Sequence, residues 1–157
     1  MSEVKKIPEG YHSITPALIV KDGNAAIEFY KKGFGAEERH RMESPDGRIG
    51  HAELKIGDSI VMLTDEFPEM KCLSPKSIGG SPVSMYIYVE DVDDTFNKAV
   101  SAGAKVLDPV KDQFWGDRHG RIEDPFGHLW SIATHKKDLS SEEMKKAAEE
   151  AFSQMSK

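Results

Sequence analysis

The chain has 157 residues, enough for one domain with a real interior, and its 38% hydrophobic and 31% charged residues are ordinary for a soluble globular protein. A formal net charge of −6 argues against a nucleic-acid partner, which would favour a basic face. No apolar run approaches the roughly 20 residues that span a bilayer. The polar start MSEVKKIPEGYHS lacks a signal-like stretch, and the lone Cys72 excludes an intrachain disulfide. These features predict a cytoplasmic protein without a membrane partner.

Residues 14–20, ITPALIV, read as a strand, and Lys21-Asp22-Gly23-Asn24 as a turn that opens a helix. Ala26, Ile27 and Tyr30 recur at helical spacing, with Gly33 and Gly35 marking the stop. GHAELKI and SIVML follow, joined by Gly57-Asp58, a two-residue hairpin loop whose leading glycine suits a type II′ turn. That turn sets the register: Ile56 faces Ser59, Leu54 faces Val61, Glu53 faces Met62 and His51 faces Thr64. Ala52, Leu54, Ile56, Val61 and Leu63 then share a core face. His51, Glu53, Lys55, Ile60, Met62 and Thr64 share the other, which suits solvent or a polar pocket. Residues 65–82, with Pro68, Pro75, Gly79, Gly80 and Pro82, read as a long loop.

The pattern then restarts. VSMYIYV is a strand, Glu90-Asp91 a turn, and VDDTFNKAVSAGA a helix ending at Gly103 with Val92, Phe96, Ala99 and Val100 on its apolar face. Phe114-Trp115-Gly116-Asp117 opens a hairpin, DRHGRIE and HLWSIATH, joined by Asp124-Pro125-Phe126-Gly127. In that register Ile122 faces Trp130 and Arg121 faces Ser131. Ile122, Trp130 and Ile132 fall on the core face. His119, Arg121, Glu123, Leu129, Ser131 and Ala133 fall on the other. Asp117 and Asp124 read as turn-formers, and His40, His128 and His135 as solvated. One constant shift of 69 relates Val20 to Val89, Asp22 to Asp91, Ile27 to Phe96 and Met62 to Ser131, the mark of an internal duplication. The tail LSSEEMKKAAEEAFSQMSK is a third helix with a Ser140/Glu143 capping box and a stripe of Met144, Ala148, Ala151, Phe152 and Met155. It packs either on its own domain or on a subunit partner.

The signatures TPALIVKDGNAAIEFYKKGFGAEE, HAELKIGDSIVML and WGDRHGRIEDPFGHLWSIATH, in this order on a repeat, resemble the glyoxalase/bleomycin-resistance/dioxygenase (vicinal oxygen chelate) superfamily, and most its PhnB-like branch. The resemblance covers about residues 12–135. It implies an α+β fold: two tandem β-α-β-β-β modules forming a curved, cup-like mixed sheet with helices outside, plus the C-terminal helix. Module 1 spans about 12–66, a linker loop about 67–82, module 2 about 83–135 and the last helix about 140–155, all in a single domain over 1–157.

In metal-dependent members of this superfamily four pocket positions carry the ligands. The resemblance puts Thr15, Met62, Ser84 and Ser131 there, so no metal site and no cofactor is expected. The alternative is one divalent zinc, nickel, manganese or iron on non-standard ligands in a lyase, isomerase or dioxygenase. The expected function is small-molecule binding, such as sequestration of an aromatic or antibiotic-like compound, by a homodimer. Thr15, Met62, Ser84, Tyr86, Tyr88, Trp115, His119, Arg121, Glu123 and Ser131 are the candidate ligand contacts. Tyr86, Tyr88 and Trp115 would sandwich a flat ligand. His51 and Glu53, two apart on one strand face, are the candidate catalytic acid/base pair.

Overall fold

The computed structural model describes residues 3–156. It holds two four-stranded mixed sheets with helices against them, an α+β fold without a closed barrel. The first half runs β1 (Ala17–Val20), α1 (Gly23–Phe34), β2 (Glu37–Glu43), β3 (Ile49–Ile56) and β4 (Ser59–Asp65). The second runs β5 (Ser84–Tyr88), α3 (Val92–Ser101), β6 (Lys105–Asp112), β7 (Asp117–Glu123) and β8 (Leu129–His135). Between them lies a short helix α2 (Pro75–Ile78), and α4 (Ser141–Met155) closes the chain.

Strand orders are β1-β4-β3-β2 and β5-β8-β7-β6. In each sheet the strand before the helix returns parallel to the last strand of its half, with Ala17 beside Met62 and Tyr86 beside Ser131. These pairs stand 69 residues apart on both strands, so the duplication holds in three dimensions. Both hairpins take the expected register: Ile56 opposes Ser59 and Leu54 opposes Val61, while Ile122 opposes Trp130 and Arg121 opposes Ser131. Gly57 has φ 59 at the first turn, the positive value its loop position requires.

Local chemistry explains the helix boundaries. The Asp22 side chain accepts from the Ala25 amide, and Asp91 accepts from Asp94, so both module helices are N-capped alike. α1 runs through Gly33 and stops at Gly35. Gly33 serves contact instead: a Cβ there would sit 3.3 Å from the Ala99 Cα, so its absence lets α1 and α3 approach closely. Their shared core joins Ile27, Tyr30, Leu54 and Leu63 of the first half to Phe96, Ile122, Trp130 and Ile132 of the second. Asp65, buried at the end of β4, accepts from the amides of Gly23 and Ile49 and ties the start of α1 to β3.

The structure extends the sequence reading and corrects it in places. β2 and β6 escape the alternating pattern because they lie at sheet edges with mostly exposed side chains; β2 reads EERHRME. The stretch read as a loop contains a 3₁₀ turn at Pro68–Met70 as well as α2, and Cys72 bridges to Phe67. Val100, assigned to the apolar face of α3, is 37% exposed. α4 forms with its capping box as expected, but it buries no residue. Its aromatic contact is an edge-on meeting of Phe152 with Phe114, ring centroids 6.0 Å apart. Phe152 and Met155 remain exposed.

Candidate functional site

One face of each sheet is spent on the shared core; the opposite face carries the candidate residues, some exposed and some, such as Ile60, Ser131 and Ala133, buried. On the second sheet that face is read directly from the pairing. Tyr86, Ser131, Arg121 and Asp108 form one row across β5, β8, β7 and β6, and Tyr88, Ala133, His119 and Lys111 form the next. Asp117 opposes His135 one step further on.

Asp117 organises this face. It is 3% exposed. Its Oδ2 accepts from the Tyr86 hydroxyl at 2.7 Å, the Tyr88 hydroxyl at 3.0 Å and the Trp115 indole N–H at 3.1 Å. Its Oδ1 meets His135 Nδ1 at 2.8 Å, while His135 Nε2 meets Asp138 at 2.8 Å. Burial alone would push the Asp117 carboxyl upward, but the hydrogen bonds from His135, Tyr86, Tyr88 and Trp115 outweigh it and hold the group below its ordinary range. The same carboxylates raise His135, Asp117 first and Asp138 second. Asp117 is therefore far more than a turn-former, and His135, exposed as expected, bridges two carboxylates.

The three predicted aromatic residues are brought together around this carboxylate. Tyr86 and Tyr88 lie 5.2 Å apart, and the Tyr86 ring stacks on His119 at 5.3 Å and 14°. Trp115 meets His119 edge-on at 5.4 Å. Tyr86 and Tyr88 nonetheless stay 43% and 63% exposed, so ring surface remains available. His119 is the anomaly: it is buried, and neither ring nitrogen has a hydrogen-bond partner. Desolvation, aided by Arg121, lowers its pKa and favours the neutral imidazole. Replacing His119 by phenylalanine, which keeps the stack and removes the unpaired nitrogens, is expected to gain about 1 kcal/mol in urea unfolding; a clear loss would mean that the nitrogens are satisfied.

The remaining candidates divide between two places. Arg121, Glu123 and Ser131 share the Tyr86 face, with Arg121 bonded to Asp108 at 3.0 Å. Ser84 opens β5 and is exposed. His51, Glu53 and Met62 lie on the open face of the first sheet, and Thr15 precedes β1. His51 Nε2 is 3.1 Å from Glu53 Oε1. Hydrogen bonding from Tyr11, then from His51, lowers the Glu53 pKa. His40, the cross-strand partner of Glu53, brings a second imidazole, 6.3 Å from His51 between ring centroids. His128, expected to be solvated, is buried and bonds the Ile19 carbonyl at 2.8 Å, linking β8 to β1. Sequence reasoning missed Asp117 as a hub because its partners come from 29 and 31 residues away.

Residues 11–132 match the Glyoxalase/Bleomycin resistance protein/Dioxygenase superfamily. The chain belongs to that family. An uncharacterized Mycobacterium tuberculosis protein, Rv0887c, is 43% identical over 138 residues, covering 86% of this chain and 81% of its own. Among solved structures, TioX from Micromonospora sp. ML1 superimposes with a TM-score of 0.62 at 29% identity, covering 79% of this chain and 98% of its own. A PhnB protein from Bacillus cereus shares the fold with a TM-score of 0.60 at 19% identity, covering 78% and 99%.

A metal in a protein of this superfamily depends on the donor set. Thr15, Met62, Ser84 and Ser131 offer one thioether and three neutral hydroxyls, whereas a divalent Lewis-acid ion calls for imidazole and carboxylate. Among the described residues, no group of three His, Cys, Asp or Glu side chains is placed to hold an ion. The residues at these positions do not fit such a metal.

Proposed function

We propose that this protein binds a small molecule carrying an aromatic ring on the open face of its second sheet, and that it does so as a binding protein rather than an enzyme. The observation that carries this reading is the Asp117 carboxylate. It takes hydrogen bonds from Tyr86, Tyr88 and Trp115 at once and so presents three aromatic rings in one preset arrangement. Rings held this way lose little freedom when a flat ligand stacks on them. The unsuitable donor set at Thr15, Met62, Ser84 and Ser131 supports binding over metal chemistry. A homodimer belongs to the same reading. Each sheet keeps a partly uncovered face, and the outer strands β2 and β6 are free edges that a second copy can cover. Sedimentation at micromolar concentration should give a dimer, and a clean monomer would contradict it.

The binding test is a ligand-observed NMR screen of aromatic compounds followed by alanine variants. Trp115→Ala should weaken a hit by about threefold to tenfold, the value of one stacked ring, while changing the folding midpoint less. A hit unaffected by both Trp115→Ala and Tyr86→Ala places the site elsewhere, and variants that fail to fold make these residues core.

A second reading rests on the contact between His51 and Glu53 at 3.1 Å, an imidazole oriented by a carboxylate and suited to acid/base work. Elemental analysis of tag-free protein separates it from a metal-dependent version. One zinc, nickel, manganese or iron per chain, lost on mutating His51 or Glu53, would favour the metal-dependent enzyme.

A further inference from the structure

We infer that the ligand of the second sheet is an aromatic anion, an aryl carboxylate or similar acid, with its ring on Tyr86, Tyr88 and Trp115 and its charge held by Lys111 and Arg121. This rests on the binding reading above and adds the ligand's chemical class.

The acidic groups nearest the rings are already committed. Asp117 is the anion nearest the rings, yet it is buried and takes four hydrogen-bonding groups, so it presents no free acceptor to a ligand. Asp108 is bonded by Arg121. Glu123 opposes Leu129 and Lys105 and lies one row further from the tyrosines than Arg121. Beside the rings, the groups still free to act are donors. Lys111 is exposed and enters no ion pair among the described residues. Arg121 uses NH1 on Asp108, which leaves the rest of its guanidinium fork for a second carboxylate.

Geometry joins these donors to the rings. The Tyr86 ring leans across β8 to stack on His119. Lys111 is the cross-strand partner of His119 on β6, about 5 Å away along the hydrogen-bonding direction. Arg121 lies two residues from His119 on β7, about 7 Å along the strand. A flat acid placed on Tyr86 and Tyr88 therefore reaches both cations with its carboxylate. His119 is the independent sign that something belongs here. It is a 5% exposed imidazole with both nitrogens unpartnered, beneath Tyr86 and the Trp115 edge. A ligand oxygen admitted by a small shift of Trp115 would give one nitrogen its missing partner.

Three near-isosteric probes test the charge: 2-naphthoate, 2-naphthamide and 2-naphthylmethylammonium, each titrated calorimetrically into the full chain. We expect 2-naphthoate to bind at least about fivefold more tightly than the amide and the ammonium to bind weakest, with the preference shrinking as salt is raised. Lys111→Met removes an exposed, unpaired charge and should fold normally; Arg121→Lys keeps a cation but loses the fork. In Lys111→Met the acid should fall toward the amide while amide binding stays unchanged. If acid and amide bind equally, the binding reading survives and the anion inference is wrong. It is equally wrong if the ammonium binds tightest, or if Lys111→Met leaves the acid's advantage intact. If none of the three binds, the inference fails, and the broader aromatic screen judges the binding reading by itself.

Discussion

Replacing Asp124 by alanine is expected to lower stability by about 3–5 kcal/mol, the largest single-site loss outside the apolar core. Asp124 is 2% exposed. Its Oδ1 accepts the amides of Phe126 and His128, both at 2.9 Å, and closes the turn between β7 and β8. Its Oδ2 accepts the Tyr30 hydroxyl at 2.5 Å and the Trp130 indole N–H at 2.9 Å. Tyr30 and Trp130 are themselves fully buried, so alanine would strand donors that water cannot reach. Burial first, and the Asp124 charge next, raise the Tyr30 pKa well above the ordinary value, so Tyr30 remains a donor at any working pH. Because Tyr30 belongs to α1, the same carboxylate fastens the first half of the chain to the second. Urea unfolding at neutral pH measures the loss. Tyr30→Phe, which removes one donor and leaves three, should cost only about 1 kcal/mol. An Asp124→Ala loss below that of Tyr30→Phe would show that Asp124 matters to the turn alone.

Asp117→Ala is expected to cost about 2–3 kcal/mol, less than Asp124→Ala because Tyr86, Tyr88 and His135 can turn to water. It should also change the pH dependence of stability. The Asp117 pKa is depressed, so its contribution is present above the ordinary carboxylate value of about 3.9 and fades as pH falls through the lowered one. The His135 pKa is raised, so its contribution is full below about 6.5 and is lost as pH rises through the raised value. Wild-type protein should therefore exceed Asp117→Ala most at about pH 5, with the gap narrowing toward both about pH 2 and about pH 9. A gap that does not vary over this range would mean that the carboxylate and the imidazole do not act as a charged pair. Loss of the indole hydrogen bond should also alter Trp115 fluorescence in Asp117→Ala, tying the stability change to the aromatic face.

The duplication, both hairpin registers, the turns at Asp22 and Asp91 that precede the module helices, the Ser140 cap, and the division of β3, β4, β7 and β8 into two faces were all legible in the sequence. The repeat shows as the same residue order 69 positions on, and the others depend on residues within a few positions of one another. Turn geometry sets strand register, and the two-residue side-chain alternation of a strand then assigns every face. The edge strands β2 and β6 were not legible, because a strand exposed on both sides needs no alternation to be stable. Nor was the standing of Asp117 and Asp124. Their neighbours identify turn residues, while the donors that make them hubs arrive from β5 and α1 only after the sheets and helices have packed. α4 shows the converse: its amphipathic stripe and capping box specify a helix, but nothing local says what the stripe meets, and within this chain it is left largely uncovered. The sequence by itself thus determined the repeat, the strand registers and which side chains share a face. Only the tertiary structure decided which carboxylates are buried, which rings they orient and which imidazole is left without a partner, because burial and long-range hydrogen bonds exist only once the two halves have come together.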